Sequence, residues 1–183
     1  EKANPVVVIS TDKGDFAVEL FEDNAPNTVA NFIYLVEKGH YKGSDFHRVE
    51  PYSKVAGGEK LRLLQGGRKA GKEDFDWTIR NEAKNKDTYK DVRNVAGTLS
   101  MARQNDLDSA SCQFFVNLKD MPEWDNEKSP YCVFGAISEN LWVCYEIRPD
   151  DKILDAWVVR KRGHSYIPTV KRTGKSTYEP AET

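Results

Sequence analysis

Two residues sit where their chemistry is out of keeping with their neighbours. Arg48 lies in Asp45-Phe46-His47-Arg48-Val49, a run of strand type and not a loop. Gln113 lies in Ser111-Cys112-Gln113-Phe114-Phe115-Val116-Asn117, directly before two phenylalanines. A guanidinium stays charged and presents several N–H groups in a fixed fork. A primary amide facing aromatic walls must find partners, or it waits for the amide of a ligand. Taken alone, an Arg of this kind more often rests on an outer sheet face, paired with a carboxylate. The three cysteines, Cys112, Cys132 and Cys144, are widely spaced within apolar runs and form no Cys-x-x-Cys pair. They read as small buried residues, with no metal site and no cofactor expected.

The elements that must position Arg48 and Gln113 follow from periodicity. Thr98 to Ala102 alternate, the ten residues Arg103 to Cys112 are mostly polar and small, and from Cys112 to Val116 runs a second apolar stretch. That reads as strand, excursion, strand. Near the start, Val6 to Ser10 and Phe16 to Phe21 flank a Lys13-Gly14 turn, a hairpin by pattern. Asn24 is a candidate helix cap, with Pro26 in the first turn. Val29, Phe32, Ile33 and Val36 then make one apolar helical face, and Gly39 ends it. Pro51 to Lys60 reads as a loop, Leu61 to Leu64 as a strand, and Trp77-Thr78-Ile79 as a short extended piece. Tyr131 to Ile137 is a strand, Leu141 to Ile147 a short second helix, and Ile153 to Val159 a last strand that pairs with the first. Many short strands with two helices predict a mostly β fold, a closed antiparallel barrel with helical plugs. A helix lying on an open sheet fits the first helical pattern equally well.

The 183 residues suit one core, and 31% charged with 39% hydrophobic residues argues against disorder across the body. A net charge of −2 gives no global attraction to nucleic acid or anionic membrane. No run has the length of a membrane-spanning helix. Beyond Val159 the composition turns basic, with Arg160, Lys161, Arg162, Lys171, Arg172 and Lys175, and apolar residues thin out. The expected organisation is a barrel domain over 1–162 and a solvated, partly mobile tail over 163–183, a nucleic-acid tail being the rarer alternative.

Phe46-His47-Arg48-Val49, then Gly97-Thr98-Leu99-Ser100-Met101-Ala102, then Ser111-Cys112-Gln113-Phe114-Phe115-Val116-Asn117 resembles the cyclophilin family of peptidyl-prolyl cis-trans isomerases, in the same order. Asn81-Glu82-Ala83 and Met101-Ala102-Arg103 resemble its bacterial branch. The resemblance covers Val6 to Val159. It implies eight strands closed into a barrel and capped by two helices. It also implies catalysis of rotation about X-Pro bonds in exposed segments of unfolded or flexible proteins. That rotation faces a barrier of ~18–20 kcal/mol, because the amide nitrogen shares its lone pair with the carbonyl. Twisting frees the lone pair, so a preorganised donor at the nitrogen lowers the barrier.

By resemblance Arg48 is that donor, and Phe115 is the floor of the proline pocket. Phe46, Leu63, Met101, Ala102, Arg103, Gln113, Trp124 and Tyr131 are the other substrate-binding candidates. His47 precedes Arg48, should face away, and is read as structural. Two alignments compete after Pro51. In one, an insertion places Gln65 at the catalytic Gln and Leu63 in the pocket wall. In the other, without a gap, Ala56 replaces that Gln, and Ser53 and Lys54 the apolar pair. A direct count from Phe115 places Glu123 at a position where many animal members carry Trp, so Trp124 is read as replacing the adjacent pocket Leu. Tyr131 matches the pocket His.

Two other functions compete: a cyclophilin-shaped module that binds proline peptides with weak or no turnover, and a lipocalin-like ligand barrel. The residue within reach of Arg48, Gln65 or Ala56, separates the first of these from the enzyme. A monomer is expected. The start at Glu1 and the bacterial-type motif suggest export to the periplasm or cell envelope, with the cytoplasm as the alternative.

Overall fold

The computed structural model describes residues 3–55, 58–68 and 75–182, with 52–55 and 58–60 followed by their backbone alone. β1 (Val6–Thr11) and β2 (Gly14–Leu20) form the predicted hairpin. The Thr11 hydroxyl ties its turn, donating to the Gly14 carbonyl at 2.8 Å and accepting from the Lys13 amide. α1 (Pro26–Glu37) follows, then β3 (Arg48–Val55), β4 (Gly58–Gly66) and β5 (Trp77–Thr78). β6 (Thr98–Met101), β7 (Phe114–Asn117), β8 (Val133–Glu139), α2 (Leu141–Glu146) and β9 (Ile153–Arg160) complete the resembling region. β10 (Thr169–Arg172) and β11 (Tyr178–Pro180) lie in the tail.

Eight strands make one antiparallel sheet in the order β3-β4-β7-β6-β8-β2-β1-β9. β9 pairs with β1, as read from sequence. The expectation of a closed barrel is corrected: among the described residues no ladder joins β9 to β3, and the sheet is a half-barrel with two helices. The segment before β3 meets the start of β9. There Phe46 N–H donates to the Asp151 carbonyl and Ile153 N–H to Ser44, each at 2.9 Å.

α1 buries Val29, Phe32, Ile33, Leu35 and Val36 in the concave side of the sheet. The Phe32 ring packs on Tyr41, Phe114 and Phe134, with centroids 5.1 to 5.7 Å apart. The start of this helix departs from expectation. Ala25 is the cap residue, and Asn24 donates instead to the carbonyls of Thr88 and Lys90. The orphan amides of the first turn are met from a distance. The Glu82 carboxylate accepts from Asn27 N–H at 3.0 Å, Thr28 N–H at 2.7 Å and the Thr28 hydroxyl at 2.6 Å. A carboxylate there also complements the positive end of the helix dipole.

The segment after Gly163, read as a solvated terminus, packs on the half-barrel. β10 pairs with β11 on one side and β5 on the other, making a second sheet of three strands. Tyr166, Val170 and Ala181 are buried. At the root of this segment the buried Glu22 carboxylate accepts from the Tyr166 hydroxyl at 2.7 Å and faces His164 Nε2 at 2.6 Å.

Candidate active site

The period of two along a strand divides the large sheet into two faces. Leu64, Leu99, Met101, Phe114 and Val116 join the core cluster under α1. Leu63 and Phe115 are also buried but lie outside that cluster, on the outer face. There register builds a row across four strands. Arg48 on β3 is opposite Gln65 on β4, Gln65 is opposite Phe115 on β7, and Phe115 is opposite Ser100 on β6.

Side chains link this row. Arg48 Nη1 donates to Gln65 Oε1 at 3.0 Å, and Gln65 Nε2 donates to Gln113 Oε1 at 3.0 Å. A second partner of Arg48 was not foreseen from the sequence: Glu50 Oε1 accepts from Nε at 2.7 Å and also from Nη2. Its signal was present, because residues i and i+2 of a strand share a face. Arg62 was likewise missed. Its guanidinium lies 5.2 Å from the Trp124 ring centroid and donates to Glu123 at 3.2 Å.

Arg48, Leu63, Gln65, Ala102, Arg103, Phe115, Trp124 and Tyr131 line one open cleft of about 330 Å³, together with Glu50 and Arg62. Its apolar end is an aromatic trio. Phe115 meets Trp124 edge-on at 4.9 Å and Tyr131 at 5.5 Å. Such a nest suits a small saturated ring. Arg103 stacks over Tyr131 at 4.4 Å and donates to the Ser129 and Pro130 carbonyls, which fixes the near wall. The loop carrying Trp124 and Tyr131 is anchored by the fully buried Asn94. The Asn94 amide oxygen accepts from Ser100 on β6 and Asn117 on β7, and its amide nitrogen donates to Asp125 at 2.8 Å.

The β3–β4 ladder sets Gln65 opposite Arg48. Its register shifts lie around Pro51. Ala56 lies outside the described residues. Glu123 points to Arg62, while Trp124 packs against Phe115.

Gln113 stands beside the cleft, in an adjoining hollow of about 430 Å³ that also touches Gln65, Ala102 and Arg103. Two expected contacts are corrected. Phe46 is fully buried in the core, packed edge-on to Phe114 at 6.3 Å. Met101 is turned inward by the same alternation that points Ser100 outward, and it borders a small hollow beside Ile79 and Cys132. His47 is off the cleft, facing Asp45 at 4.0 Å. Burial first, and then the Arg68 charge, hold its pKa below the usual histidine value.

Residues 6–161 match the model of the family described as cyclophilin type peptidyl-prolyl cis-trans isomerase/CLD. The chain is 35% identical over 167 residues to peptidyl-prolyl cis-trans isomerase cyp18 of Streptomyces antibioticus, covering 88% of this chain and 90% of that one. It is 34% identical over 169 residues to peptidyl-prolyl cis-trans isomerase B of Escherichia coli strain K12, covering 89% and 92%. A cyclophilin-type isomerase of Cryptosporidium parvum shares the fold, with a TM-score of 0.66 at 22% identity over 87% of this chain and 99% of that one. The chain belongs to the cyclophilin-type peptidyl-prolyl cis-trans isomerases.

Proposed function

We propose that the cleft isomerises X-Pro bonds in exposed segments of unfolded or flexible proteins, with Arg48 as donor to the prolyl nitrogen. The observation that carries this reading is the Arg48 guanidinium, held by Gln65 on the same face as the Phe115–Trp124–Tyr131 nest. The proline ring enters the nest, which places its nitrogen toward the guanidinium. No covalent bond forms or breaks. In the planar ground state the nitrogen lone pair is delocalised and accepts poorly. As the bond twists, the nitrogen becomes pyramidal, and an η N–H of Arg48 bonds it. This donor contributes to the transition state more than to the ground state, so it raises kcat.

Gln113 and Arg103 flank the cleft and supply polar groups for the substrate backbone on either side of the proline. A cyclophilin-type isomerase of Cryptosporidium parvum, of the same fold, was crystallised in the presence of the dipeptide Ala-Pro, which supports a proline-containing segment as the ligand here. Assistance to protein folding follows from the chemistry, because X-Pro isomerisation is slow enough to limit folding.

The test compares turnover and affinity on one proline tetrapeptide. Arg48→Ala should cut kcat by about one to two decades, the worth of a charge-assisted hydrogen bond of roughly 1.5–3 kcal/mol, and leave the melting temperature close to wild type. Loss of affinity with kcat unchanged would remove the donor role.

A further inference from the structure

We propose that Glu50 is a positioning residue for Arg48, the outer member of a charged strip that sets the guanidinium's orientation for catalysis. The inference rests on Arg48 being the donor. Arg48 is exposed, with 52% of its side-chain surface open, and sits on the edge strand β3. A free Arg side chain carries ~2 kcal/mol of rotamer entropy, so an unsupported guanidinium here would sample many orientations. Two contacts restrict it. Gln65 takes one Nη1 hydrogen, and the Glu50 carboxylate takes the side edge made by Nε and Nη2. Both edge bonds go to the same oxygen, Oε1. A planar guanidinium held on its side edge and at Nη1 is kept from swinging about its Cδ–Nε bond. The η hydrogens left over point away from the carboxylate, and one of them is available to the prolyl nitrogen.

Glu50 is itself held. Its other oxygen, Oε2, lies 4.0 Å from Arg62 Nη1, and Arg62 reaches on to Glu123 at 3.2 Å while covering Trp124. Positive and negative groups therefore alternate along the cleft wall, from the guanidinium to the aromatic nest. Opposite neighbours keep Glu50 from turning to solvent, although it is only partly buried. The carboxylate does not block the donor, since it occupies the side edge and not the outer end of the fork.

The test measures kcat, KM and melting temperature on one proline tetrapeptide for Glu50→Ala and Glu50→Gln, each in the wild-type and the Arg48→Ala chain. Glu50→Ala should lower kcat by ~5- to 10-fold with KM within about twofold, the loss expected for one hydrogen-bonded support. Glu50→Gln keeps an oxygen at the same place and should retain kcat within about threefold of wild type. In the Arg48→Ala chain, Glu50→Ala should add nothing, because a positioning residue acts only through the group it positions. A rise in kcat for Glu50→Ala would make Glu50 a competitor for the donor and overturn the proposal. So would an equal loss in both backgrounds, or a Glu50→Gln variant as slow as Glu50→Ala. If Arg48→Ala alone left kcat unchanged, the donor reading itself would fall. A slow Arg48→Ala beside an unaffected Glu50→Ala would remove only the role of Glu50.

Discussion

Gln65 lies directly across the β3–β4 ladder from Arg48, and its amide oxygen accepts Nη1 at 3.0 Å while its nitrogen donates to Gln113. One amide thus orients the guanidinium and, through Gln113, an adjoining peptide-sized hollow. Gln65→Leu keeps the volume but removes both bonds. It should lower kcat/KM by about tenfold, from a lost neutral-to-charged hydrogen bond and a freed Gln113. A protease-coupled rate measurement beside a melting curve checks this. A rate equal to wild type would mean that Gln65 is only a spacer.

Arg48→Lys should recover little of the rate lost in Arg48→Ala. An ammonium lacks the planar fork that binds Glu50 and Gln65 together while leaving an N–H for the substrate. Recovery to within about threefold of wild type, measured by the same assay, would show that charge alone suffices.

Phe115→Ala should weaken peptide binding as well as turnover, because the nest loses its floor in both ground and transition states. Phe115 is only 3% exposed, so stability should fall too, by about 3 kcal/mol, the lower end for a buried phenylalanine beside an open cleft. Peptide titration and urea unfolding read the two effects separately.

Deleting residues 163–183 should lower the melting temperature by on the order of 10 °C. Burial of Tyr166, Val170 and Ala181 is worth several kcal/mol at roughly 1.5–3 kcal/mol per large side chain, and each kcal/mol moves a chain of this size by about 2–4 °C. An unshifted calorimetric transition would show that the three-stranded sheet contributes nothing to the fold.

Alkaline pH should destabilise the chain through its thiols. Burial pushes Cys112 up to about 11, and Cys132 and Cys144 up to about 12, from an ordinary 9.0. The folded state holds these protons after the unfolded state has released them, so stability is full below about 9 and falls as pH rises toward 11 to 12. The urea midpoint measured from pH 8 to 11 should decline, and less steeply in a triple Cys→Ala chain. Iodoacetamide at pH 8 should label the thiols only in denaturant.

The parts of the molecule legible in its sequence are those set by local period. The hairpin of β1 and β2, the apolar face of α1 and the pairing of β6 with β7 follow from alternation and helical spacing. The two misplaced contacts come from the same rule applied loosely. Met101 is one residue from Ser100 and must face the other way, and Phe46 precedes the point where β3 begins. What stayed hidden is set by partners far along the chain. Asn24 looked like a cap, but Glu82 takes that task from a distant turn. Gln65 and Ala56 could not be separated without knowing how far the β3–β4 hairpin extends. The open edge between β3 and β9 rests on whether two strands far apart in the chain pair, and no residue type encodes that. Glu50 and Arg62 look like ordinary surface charges until the register sets them along one cleft.

β5 has its ladder with β10, pairing Trp77 with Arg172 and Thr78 with Lys171 from far along the chain. Closing so long a loop carries an entropic cost before any contact repays it, and such pairings form slowly. During synthesis, β5 waits without this partner until residues near 172 have been made, whereas the β1–β2 hairpin can form at once. Trp77 and its neighbour Phe75, 4.8 Å apart in the folded chain, stay without that strand over the same interval. A folding intermediate with the half-barrel formed and this patch uncovered would be the chain's sticky species.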